Sequence, residues 1–374
     1  MANLVIEDSG IVYTNPAPGL EPVHAMQPAV RAVSDSELVC IYRHGTAMES
    51  VYSVLGRCRS LDGGKTWRHE GFVERTLPGD EPIYSYFCPH LTLLADGRLV
   101  LLSGRFRRDD PRQRVYNPDT GGCLHPDTTF FTSADAGRTW EGPSLIPVGG
   151  RYAYSGGPVV ELADGRWMVV FESWKAFADP APLATRLFAL FSSDGGRSWG
   201  NESLVYDDPQ GLTRLWDVGF LRLSGQTVVG LAWTHDTSTD NDLPHHRLVS
   251  HNSGATWDPP VGTSRSGQYN ATTRLPDGRL FGVYNVRHGA SPGVYATTSE
   301  DEGLSWRSED QVQLWDARGR SRIGEDVGAT CLEELASFAF GKPDIACFGD
   351  GRVLVAFWAT RACVTHVRFS TLRV

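Results

Sequence analysis

The sequence predicts an all-β fold: a six-bladed β-propeller of four-stranded antiparallel blades, closed by strands from the two chain ends. Three observations predict it. An eight-residue motif recurs five times, a second series of six short turns alternates with it, and the composition is that of an ordinary globular protein, with 41% hydrophobic and 21% charged residues. A single domain over residues 1–374 is expected, because all-β folds can use this length as one unit.

The recurring octet has the form Ser-x-Asp-x-Gly-x-Thr-Trp, with Ser replacing Thr in two copies and Asn replacing Asp in one. These residue types suit a tight β-turn. Asp or Asn accepts bonds from nearby N–H groups, Gly adopts a positive φ, and Trp packs beneath a neighbouring strand. The copies occupy residues 60–67, 133–140, 192–199, 250–257 and 299–306.

The second series consists of short turns between two apolar stretches, four of them Asp-Gly, which is a strong hairpin signal. They lie at residues 35–36, 96–97, 164–165, 224–225, 277–278 and 350–351, about 63 residues apart, so six repeats nearly fill the chain. Each repeat reads as strand, short turn, strand, variable loop, strand, octet, strand. The sixth repeat ends after its third strand, and residues 4–13 are expected to supply the fourth. A string of separate β domains would leave that repeat incomplete.

Charge and composition exclude several classes of protein. The net charge of −9 argues against a nucleic-acid partner, and no apolar run reaches the ~18–20 residues that span a bilayer. Residues 1–10 show no secretory signal, so a cytoplasmic location is expected, or a secreted one if a leader has been removed. Seven scattered cysteines do not form a disulfide framework. No cofactor is expected.

The octet resembles the Asp-box, or bacterial-neuraminidase (BNR) repeat, of sialidase-like six-bladed propellers in the neuraminidase superfamily. The chain departs from the sialidase pattern, since Met26-Gln27-Pro28 replaces the Arg-Ile-Pro motif, and Lys342 and Trp358 stand near the slots of the tyrosine and glutamate. It is more similar to a divergent branch of predicted neuraminidases, through His24-Ala25, Gly-Thr-x-x-Glu at 45–49, and the segments 270–285 and 342–361. This resemblance implies a carbohydrate-active enzyme.

Chain direction places both series of turns on one face of the predicted disc. The starts of the first strands, the ends of the second strands and the long insertions then lie on the other face, around a central funnel where propellers hold ligands. These insertions cover residues 106–127, 174–185, 234–246 and 307–340.

The funnel predicted from these strand ends gathers carboxylates, arginines, histidines and aromatic residues. Carboxylates can cleave glycosidic bonds, arginines bind anionic groups, and aromatic rings stack on sugars. The leading hypothesis is therefore an exo-acting glycoside hydrolase on a short acidic, uronate- or sialate-like glycan. Glu172, Asp217 and Glu49 are the candidate acid, base and nucleophile, with His44 for proton transfer. The candidate substrate-binding residues are His24, Arg43, His90, Arg105, Tyr154, Tyr269, Arg287, Lys342, Trp358 and Arg361.

Two other functions remain open. A polysaccharide lyase would use His44, His90, Tyr154 or Tyr269 as base on a uronate, and a carbohydrate-binding propeller would bind without turnover. No metal site is expected, because the histidines lack the ligand spacing of zinc motifs. The expected partner is a small acidic carbohydrate, with no membrane; the sugar, the stereochemical outcome and the oligomeric state are left open.

Overall fold

A computed structural model describes residues 4–74, 83–319, 334 and 337–374. Twenty-five strands and one 3-10 turn, Ser308–Asp310, are assigned within this part of the chain. In the first half they are β1 (Val5–Tyr13), β2 (His24–Ala32), β3 (Leu38–Gly45), β4 (Val54–Ser60), β5 (Arg68–Phe72), β6 (Tyr84–Leu93), β7 (Leu99–Arg107), β8 (Pro126–Ser133), β9 (Glu141–Leu145), β10 (Ala153–Tyr154), β11 (Val160–Glu161) and β12 (Trp167–Ser173). In the second half they are β13 (Thr185–Ser192), β14 (Gly200–Asp208), β15 (Thr213–Ser224), β16 (Thr227–Asp236), β17 (Asn241–Ser250), β18 (Val261–Ser266), β19 (Asn270–Arg274), β20 (Leu280–Val286), β21 (Gly293–Ser299), β22 (Val312–Asp316), β23 (Phe340–Cys347), β24 (Val353–Arg361) and β25 (Val364–Arg373).

The strands pair mostly with their neighbours in sequence. β6–β9, β15–β18 and β19–β22 each form a four-stranded antiparallel sheet, and β12–β14 form a sheet whose first position is shared by β10 and β11. In the described residues the remaining strands form one eight-stranded sheet, in which β2–β5 and the group β23–β24–β25 meet at a parallel bridge between His24 and Thr365. The fold is therefore all-β and propeller-like, as the sequence predicts.

The N-terminal strand pairs with the C-terminal one. β1 lies antiparallel to β25, in a register that runs from Val5 opposite Arg373 to Tyr13 opposite Val367. β25 thus has β24 on one side and β1 on the other. This is the pairing that the incomplete sixth repeat requires.

Burial falls from the inner strands to the outer ones. The second strand of each group is buried on both faces, as in β7, whereas the fourth is mostly exposed, as in β9. Apolar side chains of neighbouring sheets meet in shared clusters; one contains Met168 from β12 together with Phe220 and Val228 from β15 and β16. The core therefore lies between successive sheets, as stacked blades require.

Each octet forms the tight turn that its residues predict. In the first copy Ser60 Oγ donates to Asp62 Oδ1, and the Gly64 N–H donates to Ser60 Oγ, both at 2.8 Å. The Thr66 N–H and the Trp67 indole N–H complete the turn with bonds of 2.9 Å to Asp62 and to the Gly64 carbonyl. Gly64 has a φ of 89°, which only glycine adopts without strain.

The innermost strands are interrupted by bulges at matching places. Register shifts fall at residues 26–29 in β2, 87–90 in β6, 216–219 in β15 and 341–344 in β23. A non-glycine residue with positive φ lies in each bulge: Gln27, Cys88, Asp217 and Lys342, with φ between 38° and 52°. All four line one central pocket, so the bulges direct side chains towards a common point.

Candidate functional site

The central pocket lies where the first strands begin and the second strands end, on the side opposite the octet turns. Its enclosed cavity has a volume of about 100 Å³ and opens to solvent at its mouth. Its lining consists of Gln27, Met48, Glu49, Phe87, Cys88, Tyr116, Tyr154, Glu172, Trp174, Trp216, Asp217, Trp233, Tyr269, Arg287, Phe338, Lys342 and Trp358.

Glu172 lies near the end of β12, after the apolar run 167–171 that carries it into the pocket. Only 4% of the residue is exposed, and its Oε1 atom has no hydrogen-bond partner. Burial, reinforced by the negative charge of Asp217, raises the pKa of Glu172 well above its usual value. The nearby backbone N–H groups of Asp217 and Val218 act to lower the pKa of this carboxyl group.

Asp217 is the second carboxylate of the pair. It is held in the left-handed conformation, with a φ of 47°. Burial raises its pKa to about 6, while the positive charges of Lys342 and Arg287 act in the opposite direction. The environment therefore favours a protonated Glu172 beside an ionised Asp217 at neutral pH.

Space for Glu172 is provided by Gly156, in the break between β10 and β11. A Cβ atom at this position would lie 2.1 Å from Oε1 of Glu172 and 3.0 Å from Cα of Asp217. A side chain at residue 156 would consequently displace the carboxyl pair.

Two buried cations accompany the pair. Lys342 Nζ donates to the carbonyl oxygens of Pro28, at 3.1 Å, and Pro89, at 2.8 Å, and lies 5.1 Å from the centre of the Tyr269 ring. Arg287 donates to the Phe340 carbonyl oxygen, at 2.9 Å from Nη2. Lys342 thus ties the bulges of β2 and β6 to β23 while placing a positive charge near Asp217.

One wall of the pocket is a stack of aromatic rings. Tyr154 and Trp174 lie 5.8 Å apart with planes inclined by 15°, and Trp174 and Trp216 lie 6.3 Å apart with planes inclined by 3°. His235 continues the stack behind Trp216, at 5.6 Å. Flat aromatic surfaces of this kind suit the apolar face of a sugar ring.

Glu49 reaches the edge of the pocket but is already bonded. Arg114 Nη2 donates to its Oε1 at 2.9 Å, and the Val115 N–H donates to its Oε2 at 2.6 Å. It thereby anchors the 108–124 segment to the end of β3. This position fits a structural carboxylate better than a group that exchanges protons with a substrate.

The structure does not place the predicted histidines in the pocket lining. His44 faces away from it because side chains alternate along β3, and its ring packs against Phe72 at 5.2 Å. His24 lies behind Trp358, with ring centres 5.8 Å apart. His90 follows the bulge of β6 and lines a separate cavity further along the inner strands.

Three of the predicted arginines also lie outside the lining. Arg43 is fully buried, bonds Ser53 Oγ at 2.6 Å and covers the Phe87 ring at 3.8 Å. Arg105 is paired with Asp127 at 3.2 Å. Arg361 is exposed at the end of β24. The structure thus brings together Glu172, Asp217, Tyr154, Tyr269, Arg287, Lys342 and Trp358, with Glu49 at the edge.

Several pocket residues have no counterpart among the predicted ones. Gln27 and Cys88 lie in bulges, and Gln27 Oε1 accepts the Cys88 N–H at 3.2 Å. Proline follows Gln27, Cys88 and Lys342 alike, and proline within a strand marks a bulge, so this pattern could have identified them. The other unpredicted lining residues are Met48, Phe87, Tyr116, Trp233 and Phe338.

In the described part of the chain, no three His, Cys, Asp or Glu side chains lie close enough together to hold a metal ion. Over the same residues, no helix has the length and apolar character needed to cross a membrane.

These strands, turns and bulges define a β-propeller-like protein with a pocket at the centre of its sheets. The chain belongs to the BNR repeat-like domain family, whose match covers residues 114–353. No curated protein sequence matches it.

Solved structures share the fold at low sequence identity. A protein of unknown function from Dyadobacter fermentans is 21% identical, with a TM-score of 0.75 over 100% of both chains. The Hadza microbial sialidase Hz136 is 14% identical, with a TM-score of 0.67 over 94% of this chain and 66% of its own. The α-L-arabinanase of Penicillium chrysogenum, solved with arabinobiose, is 14% identical, with a TM-score of 0.65 over 99% of this chain and 98% of its own. The fold is thus one that glycoside hydrolases also adopt.

Proposed function

We propose that the protein is an exo-acting glycoside hydrolase that cleaves a short acidic glycan in the central pocket. The observation that carries the proposal is the carboxyl pair of Glu172 and Asp217, whose environments drive their pKa values apart. Glycoside hydrolysis requires such a pair, one group protonated and the other ionised.

In this scheme Glu172 donates its proton to the leaving oxygen of the glycosidic bond. Asp217 acts on the opposite side of the sugar, either as nucleophile or as the base that activates water. Lys342 and Arg287 keep Asp217 ionised, and the rings of Trp174 and Trp216 hold the sugar in place. Both steps need only groups that line the pocket.

The preference for an acidic glycan has partial support inside the pocket. Of the four predicted arginines only Arg287 lines it, together with Lys342, and both act on the charge of Asp217. Any further binding of an acidic group must come from the edge of the pocket.

We also propose that the sheets form a six-bladed ring in one domain, closed by β1 and β25. Six groups of four strands, counted with β1 completing β23–β25, and the antiparallel pairing of β1 with β25 support this arrangement. Deletion of residues 1–13 should then lower the melting temperature of the whole protein. An unchanged melting temperature would argue against closure.

The test of the activity uses Glu172→Gln, which keeps the size of the side chain and removes its ionisable proton. With a panel of nitrophenyl glycosides of glucuronic acid, sialic acid and arabinose, we expect kcat to fall by about 10²–10⁴ on the substrate that the parent cleaves. Glu202→Gln is the matched control, because Glu202 lies on β14, outside the pocket, and pairs with Arg151. Its kcat should equal that of the parent.

The outcomes separate the alternatives. Parental turnover in Glu172→Gln would remove Glu172 from the chemistry. Cleavage of a uronate polymer with formation of an unsaturated, ultraviolet-absorbing product would indicate a lyase, for which only Tyr154 and Tyr269 of the predicted bases line the pocket. Binding of sugars without turnover of any glycoside would indicate a carbohydrate-binding protein.

A further inference from the structure

We infer that an anion-binding subsite adjoins the central pocket, between the segment after β3 and the segment after β7. It would hold the carboxylate or sulfate of the sugar next to the one that is cleaved, and this assignment rests on the proposed hydrolase function. The subsite is a cavity whose lining includes Met48, Glu49, Arg108, Arg112, Gln113 and Arg114.

Positive charge exceeds negative charge at this position. Glu49 is bonded by Arg114, and its charge also acts on the buried guanidinium groups of Arg43 and Arg108. The lining itself contains three guanidinium groups, those of Arg108, Arg112 and Arg114, and one carboxylate, Glu49, while Arg112 lies 3.7 Å from Asp110. A local excess of positive charge favours a bound anion.

Arg108 is the residue whose bonding is incomplete. It is 3% exposed, and its Nη2 atom donates to the Gln113 carbonyl oxygen at 2.7 Å. Its Nε and Nη1 atoms are buried without hydrogen-bond partners. A charged donor that is buried and unsatisfied is costly, and a carboxylate or sulfate oxygen would supply the missing acceptor.

The cavity adjoins the central pocket. Met48 and Glu49 line both, and the segment that begins at Arg108 leads to Tyr116, which lines the central pocket. A disaccharide could therefore place one sugar against the aromatic wall and the acidic group of the next sugar beside Arg108. Arg114 would serve twice, holding Glu49 and adding positive charge to the cavity.

The opposing explanation is that these arginines only fasten the 108–124 segment to Glu49. It predicts that added anions have no effect beyond that of ionic strength. The subsite predicts selective binding that depends on Arg108.

The first experiment measures binding by calorimetry and thermal shift, with sodium glucuronate and sodium sulfate as probes. Glucose and sodium chloride at matched ionic strength are the reference solutes. We expect the two anions to raise the melting temperature of the parent while the reference solutes do not. Arg108→Gln should weaken anion binding roughly ten- to hundredfold, the loss typical of a hydrogen bond to a charged group.

Arg107→Gln is the matched control, since Arg107 is the neighbouring residue, carries the same charge and is 58% exposed beside Asp109. It should bind the anions as the parent does. Equal weakening in both variants, or no weakening in Arg108→Gln, would overturn the subsite. If Arg108→Gln does not fold, Arg114→Gln replaces it, with the same expected loss and the same result counting against the proposal.

The second experiment separates this inference from the hydrolase proposal. On an acidic disaccharide, Arg108→Gln should raise KM by about tenfold and leave hydrolysis of a neutral glycoside unchanged. Equal KM values for parent and variant on the acidic disaccharide would refute the subsite even if Glu172→Gln abolishes turnover. Conversely, anion binding that depends on Arg108 would stand even if Glu172 proves not to be catalytic.

Discussion

The two ends of the same strands differ in how their polar groups are used. At the octet end, turns of one design repeat, and within each the Ser and Asp or Asn side chains bond to the turn itself. At the pocket end, buried polar atoms of Glu172, His24 and Arg43 have no partner, and positive φ falls in bulges of the innermost strands. The repeated end stabilises the sheets. Positive φ also occurs in three octets, at Ala136, Ser253 and Glu302, where it closes a tight turn. At the pocket end it lies in bulges beside unsatisfied ionisable groups, which a ligand could use.

The largest expected effect contrasts two tryptophans. Trp306 belongs to an octet, is 7% exposed and packs in the cluster of Leu231 and Leu280. Trp306→Ala should lower the free energy of unfolding by ~3–5 kcal/mol, as measured by urea denaturation, without changing ligand affinity. Trp174→Ala should do the reverse, weakening sugar binding with little loss of stability. Normal stability with reduced ligand affinity in Trp306→Ala would contradict the separation between a stabilising octet end and a ligand-binding pocket end.

A smaller, pH-dependent effect is expected at Asp217. The pKa of Asp217 is raised to about 6 in the folded protein, from an ordinary value of 3.8. The folded state therefore retains a proton that the unfolded state releases, and stability falls as pH rises between these values. Asp217→Asn removes this pH-dependent loss of stability. Its free energy of unfolding at pH 8 should exceed that of the parent by about 1–2 kcal/mol, after allowance for partial exposure.

The measurement for Asp217→Asn is a series of melting temperatures from about pH 4 to pH 8. The advantage over the parent should shrink to a small fraction near pH 4, where Asp217 is protonated in the folded parent and partly protonated in the unfolded one. A gain that is constant across this range would mean that it does not come from the ionisation of Asp217. Loss of turnover together with a gain in stability would identify Asp217 as a group that serves function at the expense of stability.

The features that the sequence could predict follow the same division between the octet end and the pocket end. The repeats predict the strand order and the octet turns, because period and turn chemistry are local. They also predict Glu172, since an unbroken apolar run leads directly to it. The directions in which the side chains of Arg43 and Arg105 point could not be predicted in this way. It depends on bulges in neighbouring strands and on partners such as Ser53 and Asp127.

Glu49 shows the same limit. Its motif is plain in the sequence, but its bonds come from Arg114 and Val115, more than sixty residues away. Arg108 and the paired bulges at Gln27 and Cys88 likewise become recognisable only when separate repeats are brought together.

The smallest expected effect concerns His44, which lies at the pocket end of β3 but faces away from the pocket. Burial, with the nearby His69, lowers the pKa of His44 to about 4. The unfolded state gains its proton first as pH falls below about 6.5, so stability is lost between that pH and about 4. His44→Phe keeps an aromatic ring against Phe72 and removes a buried Nδ1 atom that has no partner. It should therefore weaken the acid dependence of stability by about 1 kcal/mol and leave turnover at neutral pH unchanged.

Denaturation curves at pH 4.5 and pH 7, with kcat measured at pH 7, make the comparison. If His44→Phe instead abolishes turnover in a protein of normal stability, His44 acts in the chemistry, and the separation of the pocket lining from the residues behind it fails at this position.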